Sequence, residues 1–255
     1  MASNLEIISS ALIFDGLPRK QLEQIKEVAV SRDYTRGETI FLEQDMGNGF
    51  YLVAEGMVKI FKVSPSGKEQ ILHVFGPGEP FGEVPVFSGQ RFPANAGAIR
   101  KSRLLFFPRT AFLELITAHP SLALNMLAVL SMRLRQFTHQ IENLSLKEVP
   151  ARLAAYLLYL STEQEREDFV ILEISKGQLA SLLGTIPETL SRILNRMNKQ
   201  GLIETKDRTI RFLNRERLES LSINGKKNEP GKKTTQGKNK SGLVEKPVKK
   251  TFQAS

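Results

Sequence analysis

Apolar residues recur at steps of three and four along the middle of the chain, and this period predicts one long helix over residues 121–145. A stripe of this kind over nearly three heptads is typical of a two-stranded coiled coil, so we expect it to form a dimer interface. A helix packed in the core of a single chain gives the same pattern, and periodicity alone leaves that alternative open. The residues of the stripe are Leu127, Leu130, Leu134, Phe137, Ile141 and Leu144.

On the N-terminal side of this helix, short apolar runs alternate with glycine turns. Residues 40–42, 50–53 and 71–74 are such runs, and the glycines between them suit strand-to-strand connections. The pattern predicts a β-roll or barrel. One or two short amphipathic helices are expected before it, over residues 4–30.

On the C-terminal side, residues 174–212 have the pattern of a helix-turn-helix followed by a wing. A first helix has its apolar face at Leu179, Ala180 and Leu183, and Gly184 supplies the turn. The second helix is expected to begin at Thr185, which has capping-box spacing to Glu188. Residues 201–203 and 209–212 predict the two strands of the wing. The apolar stripe of the second helix is Leu190, Ile193, Leu194 and Met197.

This stripe leaves Glu188, Ser191 and Arg192 on the outer face of the second helix. Arginine can donate two hydrogen bonds to guanine and glutamate can accept one from cytosine, so the three residues suit a short half-site containing G·C pairs. A purely structural interpretation is also open, with Glu188 closing the capping box and the other two solvated. Further candidate DNA contacts are Thr185, Thr189 and Gln178 in the helices and Lys206 and Arg208 in the basic turn of the wing.

Composition narrows the functional classes. The chain of 255 residues contains no cysteine, which excludes disulfides and iron–sulfur clusters held by cysteine. The net charge is +9, but residues 224–255 hold nine Lys against two Glu, and we expect that tail to be disordered. Without a signal sequence or a long apolar run, a cytoplasmic protein is expected. No nucleophile elbow, P-loop or metal-ligand spacing appears, so an enzyme is not indicated.

The run from Glu188 to Arg192 behind a turn glycine, followed by a wing, resembles the DNA-reading end of the Crp–Fnr superfamily of bacterial transcription regulators. The resemblance implies an α+β fold with four parts. These are a sensor β-roll with N-terminal helices over residues 1–114, a dimerisation helix over 115–146, a winged helix-turn-helix over 147–223, and the Lys-rich tail over 224–255. In that family the residues matching Glu188, Ser191 and Arg192 contact bases.

The same resemblance implies an effector pocket in the β-roll. In cyclic-nucleotide-binding relatives a Gly-Glu pair holds the ribose, and Gly82 and Glu83 match it. The arginine that neutralises the cyclic phosphate falls in register with Phe92, and the following hydroxyl residue with Pro93, which disfavours cyclic AMP. Instead, the small apolar segment around Phe92 suits a neutral or planar ligand. The pocket residues implied are Gly82, Glu83, Phe92, Asn95 and His73, with Phe137 and Thr138 of the long helix.

Within the superfamily, residues 185–192 look most like the regulators of nitrosative stress that control the hybrid-cluster protein, which makes haem a candidate cofactor. The function expected is an effector-gated homodimer that reads an inverted repeat with TTGTGA-like half-sites in double-stranded DNA. RNA polymerase is an expected partner if the protein is an activator. Two alternatives stay open: a cyclic-nucleotide-responsive regulator, and a signalling module whose winged helix binds protein.

Overall fold

The computed structural model describes residues 3–224, and the tail predicted over 224–255 lies outside this range except for Asn224. The fold is α+β, as predicted. The N-terminal half contains α1 (Asn4–Ser10), a 3-10 turn (Leu12–Phe14), α2 (Arg19–Val28), β1 (Val30–Tyr34), β2 (Thr39–Phe41), β3 (Gly49–Glu55), β4 (Val58–Val63), β5 (Glu69–Phe75), β6 (Pro80–Phe81), α3 (Val84–Ser88), β7 (Asn95–Ala98) and β8 (Ser102–Pro108). The remainder contains α4 (Arg109–Ala118), α5 (Ser121–Leu146), α6 (Val149–Glu163), β9 (Phe169–Ile171), α7 (Lys176–Leu182), α8 (Pro187–Lys199), β10 (Ile203–Lys206), β11 (Thr209–Phe212) and α9 (Arg215–Asn224).

Two four-stranded antiparallel sheets form the predicted β-roll, with strand orders β1-β8-β3-β6 and β2-β7-β4-β5. Alternate residues of β3 point to opposite faces of the first sheet. Tyr51 and Val53 belong to the aromatic core between the sheets, whereas Phe50 and Leu52 belong to a second core beneath the helices. Both faces of β3 are covered, which explains why its apolar run is continuous.

The long helix α5 is confirmed at Ser121–Leu146 and has two apolar stripes. The inward stripe is buried against the roll and consists of Leu122, Met126 and Val129. It was not predicted, because the apolar period that predicts this helix is that of the outward stripe. No single helix within residues 3–224 is long and apolar enough to cross a membrane. The bent pair α4 and α5 passes that test only when its two helices are counted together, by length and composition.

The C-terminal unit is a helix-turn-helix with the predicted wing and one strand that the sequence did not predict. The short strand β9 adds to the wing, giving the strand order β10-β11-β9. The capping box expected at Thr185 is wrong: α8 begins at Pro187 and its N-cap is Ile186, without a side-chain cap. Proline fits the first helical position because its φ is preset, which moves the cap to the preceding residue. A capping box forms instead between Ser175 and Gln178 at the start of α7.

The C-terminal unit is attached to the roll through β5, an edge strand of the second sheet. The Ser181 hydroxyl on α7 donates to the Glu69 carbonyl at 2.8 Å and accepts from the Ile71 amide at 2.9 Å. The Gln70 side chain donates to the Ser181 carbonyl at 2.6 Å. Ser181 therefore satisfies backbone groups that a neighbouring strand would otherwise pair. An ion pair of 2.9 Å between Arg100 and Glu173 adds a second link.

Candidate DNA-reading surface and effector pocket

The helix α8 presents a polar face to solvent because its apolar residues are taken up by the core of the C-terminal unit. Glu188, Ser191 and Arg192 are all exposed. Glu188 and Arg192 lie four residues apart, a spacing that favours an ion pair on a helix, yet they form none. Within residues 3–224 none of the three side chains has a hydrogen-bond partner. Their donors and acceptors are therefore free to meet a ligand.

The turn before α8 fixes where this face points. Gly184 has φ +68°, a left-handed conformation that favours glycine. A Cβ at this position would also lie 3.0 Å from the Arg152 guanidinium and 3.1 Å from Leu144. The turn is thus packed closely against α6 and the end of α5.

The remaining predicted DNA contacts are placed less uniformly. Lys206 and Arg208 are exposed in the wing turn, on either side of Asp207 with φ +53°. Thr189 is half-buried on α8. The Gln178 carbonyl oxygen accepts from the Ser175 amide at 2.9 Å in the capping box, which leaves its NH2 group and one oxygen lone pair for DNA. Thr185 is half-buried and its amide donates to the Ala180 carbonyl.

A basic cleft of about 610 Å³ runs beside α8 and was missed by sequence reasoning. It is lined by Arg192 and Thr189, by Arg196 one turn further along α8, and by Arg152 near the start of α6. Burial lowers the pKa of the Arg152 guanidinium, and its Nε atom is buried without a hydrogen-bond partner. Within the described range these arginines form no ion pairs. The spacing of Arg196 from Arg192 could have identified it, whereas Arg152 is brought near only by the fold.

The predicted effector pocket in the roll is closed by its own side chains. Phe92 does not line an open space: its ring is 4% exposed and stacks on Phe41 with 3.7 Å between the ring centroids. A Cβ on Gly82, at φ +73°, would lie 3.2 and 3.3 Å from these two rings. Asn95 is also used internally, since it accepts from the Glu43 amide at 3.0 Å and donates to the Phe61 carbonyl at 3.2 Å. The small residues around Phe92 therefore accommodate an aromatic core.

Glu83 is neither a surface carboxylate nor free for a ribose. It is 8% exposed and accepts from Arg133 of α5 at 2.6 Å. Arg133 also donates to the Pro80 carbonyl and lies over the Phe75 ring, with 5.0 Å from its Cζ to the ring centroid. A cation from α5 thus occupies the carboxylate that the sequence assigned to a ligand. The partners are fifty residues apart in the chain, so local pattern could not reveal the pair.

The other three pocket candidates lie outside the core of the roll. His73 is on β5, with 3.9 Å between its Nε2 and the Glu79 carboxylate, and contacts Phe75 edge-on. Phe137 is 42% exposed on α5, and the Thr138 hydroxyl donates to the Leu134 carbonyl of its own helix. No group of three or more His, Asp or Glu able to hold a metal ion occurs between residues 3 and 224.

The outward stripe of α5 is uncovered in the single chain. Leu134, Ile141 and Leu127 are at least 60% exposed. Large apolar side chains in a row at this exposure are typical of a protein–protein interface. Two apolar residues of α3 are also exposed, Val84 at 41% and Phe87 at 44%. They come directly after Glu83, which contacts Arg133 of α5.

Comparison with known proteins identifies both units. Residues 31–119 match the family model of the cyclic nucleotide-binding domain, and residues 151–221 match that of the Crp-like helix-turn-helix domain. The cyclic AMP receptor protein of Thermus thermophilus is 32% identical over 211 residues, which cover 83% of this chain and 96% of that protein. The CRP-like cAMP-activated global transcriptional regulator of Mycobacterium tuberculosis is 29% identical over 217 residues, or 84% of this chain and 97% of that one.

The fold comparison agrees with the sequence comparison. The solved structure of FixK2 from Bradyrhizobium japonicum superposes with a TM-score of 0.69 at 26% identity, covering 77% of this chain and 98% of that one. The relatives are transcriptional regulators rather than enzymes, and regulators with a Crp-like helix-turn-helix bind DNA and act as dimers. The chain belongs to the Crp–Fnr family of transcription regulators, with a ligand-binding-type sensor domain and a Crp-like helix-turn-helix.

Proposed function

We propose that this chain is an effector-gated, homodimeric, cytoplasmic transcription regulator that reads an inverted repeat with TTGTGA-like half-sites. The observation that carries this proposal is the unpaired, exposed trio of Glu188, Ser191 and Arg192 near the N-terminal end of α8. Such a helix end suits insertion into the major groove, where arginine and glutamate read guanine and cytosine. RNA polymerase is the further partner we propose for an operator placed for activation.

An inverted repeat has two half-sites, and a homodimer supplies one recognition helix for each. The outward stripe of α5 gives each chain an apolar seam, and pairing two seams covers side chains such as Leu134 and Ile141. Two recognition helices would then read half-sites one DNA turn apart, roughly 34–36 Å. For the phosphates that flank such a groove, the contacts we propose are Arg152 and Arg196 of the basic cleft and Lys206 and Arg208 of the wing.

For the stimulus, we propose nitrosative or redox stress, supported by the likeness of residues 185–192 to the regulators that respond to it. Haem is the cofactor this likeness suggests. The interior of the roll contains the Phe41–Phe92 stack and the Glu83–Arg133 pair rather than an imidazole, so haem does not fit there in this conformation. A Soret band in protein purified from haem-supplied cells, shifting with nitric oxide, would support haem at another place in the chain.

Cyclic AMP is the second candidate effector, because the names of the two relatives above include it. In this chain the position of the phosphate-binding arginine holds Phe92, whose ring is in the core. An uncompensated phosphate against that ring is costly. We therefore expect cyclic AMP at millimolar concentration to leave operator affinity unchanged, as measured by a gel shift.

The base-reading assignment is tested by Arg192→Ala. Loss of a two-bond contact to guanine should weaken operator binding by about 1–3 kcal/mol and relax the preference at one base pair of each half-site. Fluorescence anisotropy with the operator measures the loss of affinity. The same measurement with a duplex in which the G·C pair of each half-site is replaced measures the loss of base preference. Arg217→Ala is the matched control, because Arg217 is an exposed arginine of the same unit on α9. An unchanged affinity in Arg192→Ala, with a normal melting temperature, would favour the alternative in which the winged helix binds protein.

A further inference from the structure

A cavity of about 530 Å³ lies where the roll, α5 and the C-terminal unit meet. The roll contributes Leu72 and Val74 of β5, and α5 contributes Gln140 and Leu144. Tyr156 of α6 and Leu182 of α7 complete it. This volume is within the range of pockets that hold small organic ligands, which is about 300–1,000 Å³. The three parts that an effector must coordinate therefore line one cavity, which is partly open to solvent.

The inside of the roll, by contrast, is already filled. The stacked rings of Phe41 and Phe92 and the Glu83–Arg133 ion pair use the positions that sequence reasoning gave to the effector. A ligand entering there must break a buried ion pair and separate a packed aromatic core, both of which are costly. The junction cavity requires neither change.

The chemistry of the cavity wall selects the kind of ligand. Most of its surface is apolar. Its titratable side chains are three carboxylates, Glu79, Glu163 and Glu173, the Arg152 guanidinium, and the imidazoles of His73 and His139. Glu173 is already paired with Arg100. Glu79 lies 3.9 Å from His73, so two of the three carboxylates already have a basic neighbour. Any bare charge on a ligand would lose hydration against the apolar walls. The wall therefore suits an uncharged molecule.

The polar groups of the wall include side chains of Gln140, Asn143 and Tyr159, and among them the half-buried Tyr156 hydroxyl is a hydrogen-bond donor close to the apolar surface. Burial raises the pKa of the Tyr156 hydroxyl, and the neighbouring Tyr159 and Glu173 raise it further, so the group stays protonated. It makes no hydrogen bond within the described part of the chain. A ligand with one acceptor group could use it.

We infer that the junction cavity, rather than the inside of the roll, is the effector site, and that it takes a small, uncharged, largely apolar molecule with a hydrogen-bond acceptor. The inference rests on the proposed function, since an effector matters only to a regulator. A molecule bound here touches β5, α5 and α7 together, and β5 and α7 are joined by the Ser181 bonds. Its occupancy can thus alter how the reading helix sits on the long helix, without any change inside the roll.

The test uses the full chain and two fluorescent probes. N-phenyl-1-naphthylamine is uncharged, and 8-anilinonaphthalene-1-sulfonate is a similar molecule with a negative charge. We expect the uncharged probe to bind at least about ten times more tightly than the anionic one, because the sulfonate would lose hydration against the apolar wall. Ala155→Phe on α6 places a ring in the cavity and should lower affinity for the uncharged probe by at least about ten-fold.

Three further variants complete the test. Leu72→Phe fills the same space from the roll, so it replaces Ala155→Phe if that variant does not fold. Ala118→Phe is the control, because Ala118 is an exposed alanine at the end of α4 and lies outside the cavity. Tyr156→Phe should leave the uncharged probe bound, since it removes only the hydroxyl.

The outcomes separate this inference from the proposed function. Uncharged-probe affinity that survives both cavity-filling variants, or tighter binding of the anionic probe, overturns the inference. So does saturation with the uncharged probe that changes operator affinity by less than about two-fold, since differential affinity is what shifts a population. If the protein binds no inverted repeat at all, the proposed function fails, and the probe titrations still report on the cavity because they contain no DNA.

Discussion

The interior of the roll and the exposed face of α8 each contain a glutamate and an arginine, and the two regions use them in opposite ways. Glu83 and Arg133 lie 2.6 Å apart with side chains 11% and 14% exposed, so each satisfies the other. Glu188 and Arg192 are exposed and unpaired within residues 3–224. Charges paired in the interior belong to the fold, whereas charges left free on a helix face are available to a partner. We therefore expect the first pair to contribute to stability and propose the second for recognition.

The largest expected effect concerns the seam that joins two copies of the reading face. Leu134→Asp with Ile141→Asp places charge in the outward stripe of α5, where these residues are 69% and 65% exposed. The variant should be monomeric and lose about 100-fold or more in operator affinity, because the gain from two linked half-sites disappears. Light scattering after gel filtration and a gel shift measure the two effects.

Leu12→Asp is the control for this variant, because Leu12 is 62% exposed but lies in the 3-10 turn near the N-terminus. It should stay dimeric and bind the operator normally. A wild-type chain that is already monomeric at micromolar concentration would contradict the seam.

The contrast itself is tested by making the same substitution in both regions. Glu83→Gln leaves Arg133 buried without its counter-charge and should lower the free energy of unfolding by roughly 2 kcal/mol, below the full cost of a broken buried pair because some solvent reaches it. Glu188→Gln should change stability by less than about 0.5 kcal/mol. Urea unfolding of the two variants side by side measures the difference.

DNA binding should show the reverse order. Glu188→Gln should reduce the free-energy preference for one base at the pair that Glu188 contacts by about 1 kcal/mol. Glu83→Gln should leave this preference unchanged. If both variants lose equal stability, or if Glu83→Gln alters base preference, the two regions are not functionally distinct.

Sequence periodicity predicted the elements whose stabilising contacts are local. The stripe from Leu127 to Leu144 gave α5, and the apolar spacing around Gly184 gave the helix-turn-helix. Two S/T-x-x-E/Q spacings occur near the turn, and only Ser175–Gln178 closes a capping box. At the other, Pro187 takes the first helical position, so Thr185 lies one residue too early to cap. Local spacing alone does not decide between two such candidates.

Features that depend on distant partners were missed or misassigned. The strand β9 has three residues and is defined by its pairing with β11, about forty positions later. Phe92 was assigned to a pocket because its neighbours are small, but Phe41 stacks on it from another strand. Arg133 was unassigned because nothing local links it to Glu83. For the candidate site, the exposed trio on α8 could be predicted, whereas Arg152 in the basic cleft could not.

A smaller effect is expected at the link between the two regions. Ser181→Ala removes the bonds to the Glu69 carbonyl and the Ile71 amide, and should lower stability by about 1 kcal/mol. Hydrogen exchange at the Ile71 amide should become faster, because its acceptor is lost. Thr162→Ala is the control, since that hydroxyl bonds only the Leu158 carbonyl within α6. Unchanged exchange at Ile71 would show that the Ser181 hydroxyl does not hold α7 on β5.

The smallest expected effect separates phosphate contacts from base contacts within the reading unit itself. Arg196 shares the basic cleft with Arg192 but lies one turn further from the N-terminus of α8, so we expect it to meet the DNA backbone. Arg196→Ala should weaken specific and non-specific duplexes alike, by about three-fold, and reduce the salt dependence of binding by about 0.9 per half-site. The slope is measured by anisotropy titrations between about 50 and 200 mM salt, a range over which counterion release weakens binding. Arg217→Ala on α9 should leave it unchanged. A loss confined to the operator would instead place Arg196 on a base edge, and the face that reads sequence would then extend along α8 beyond the trio.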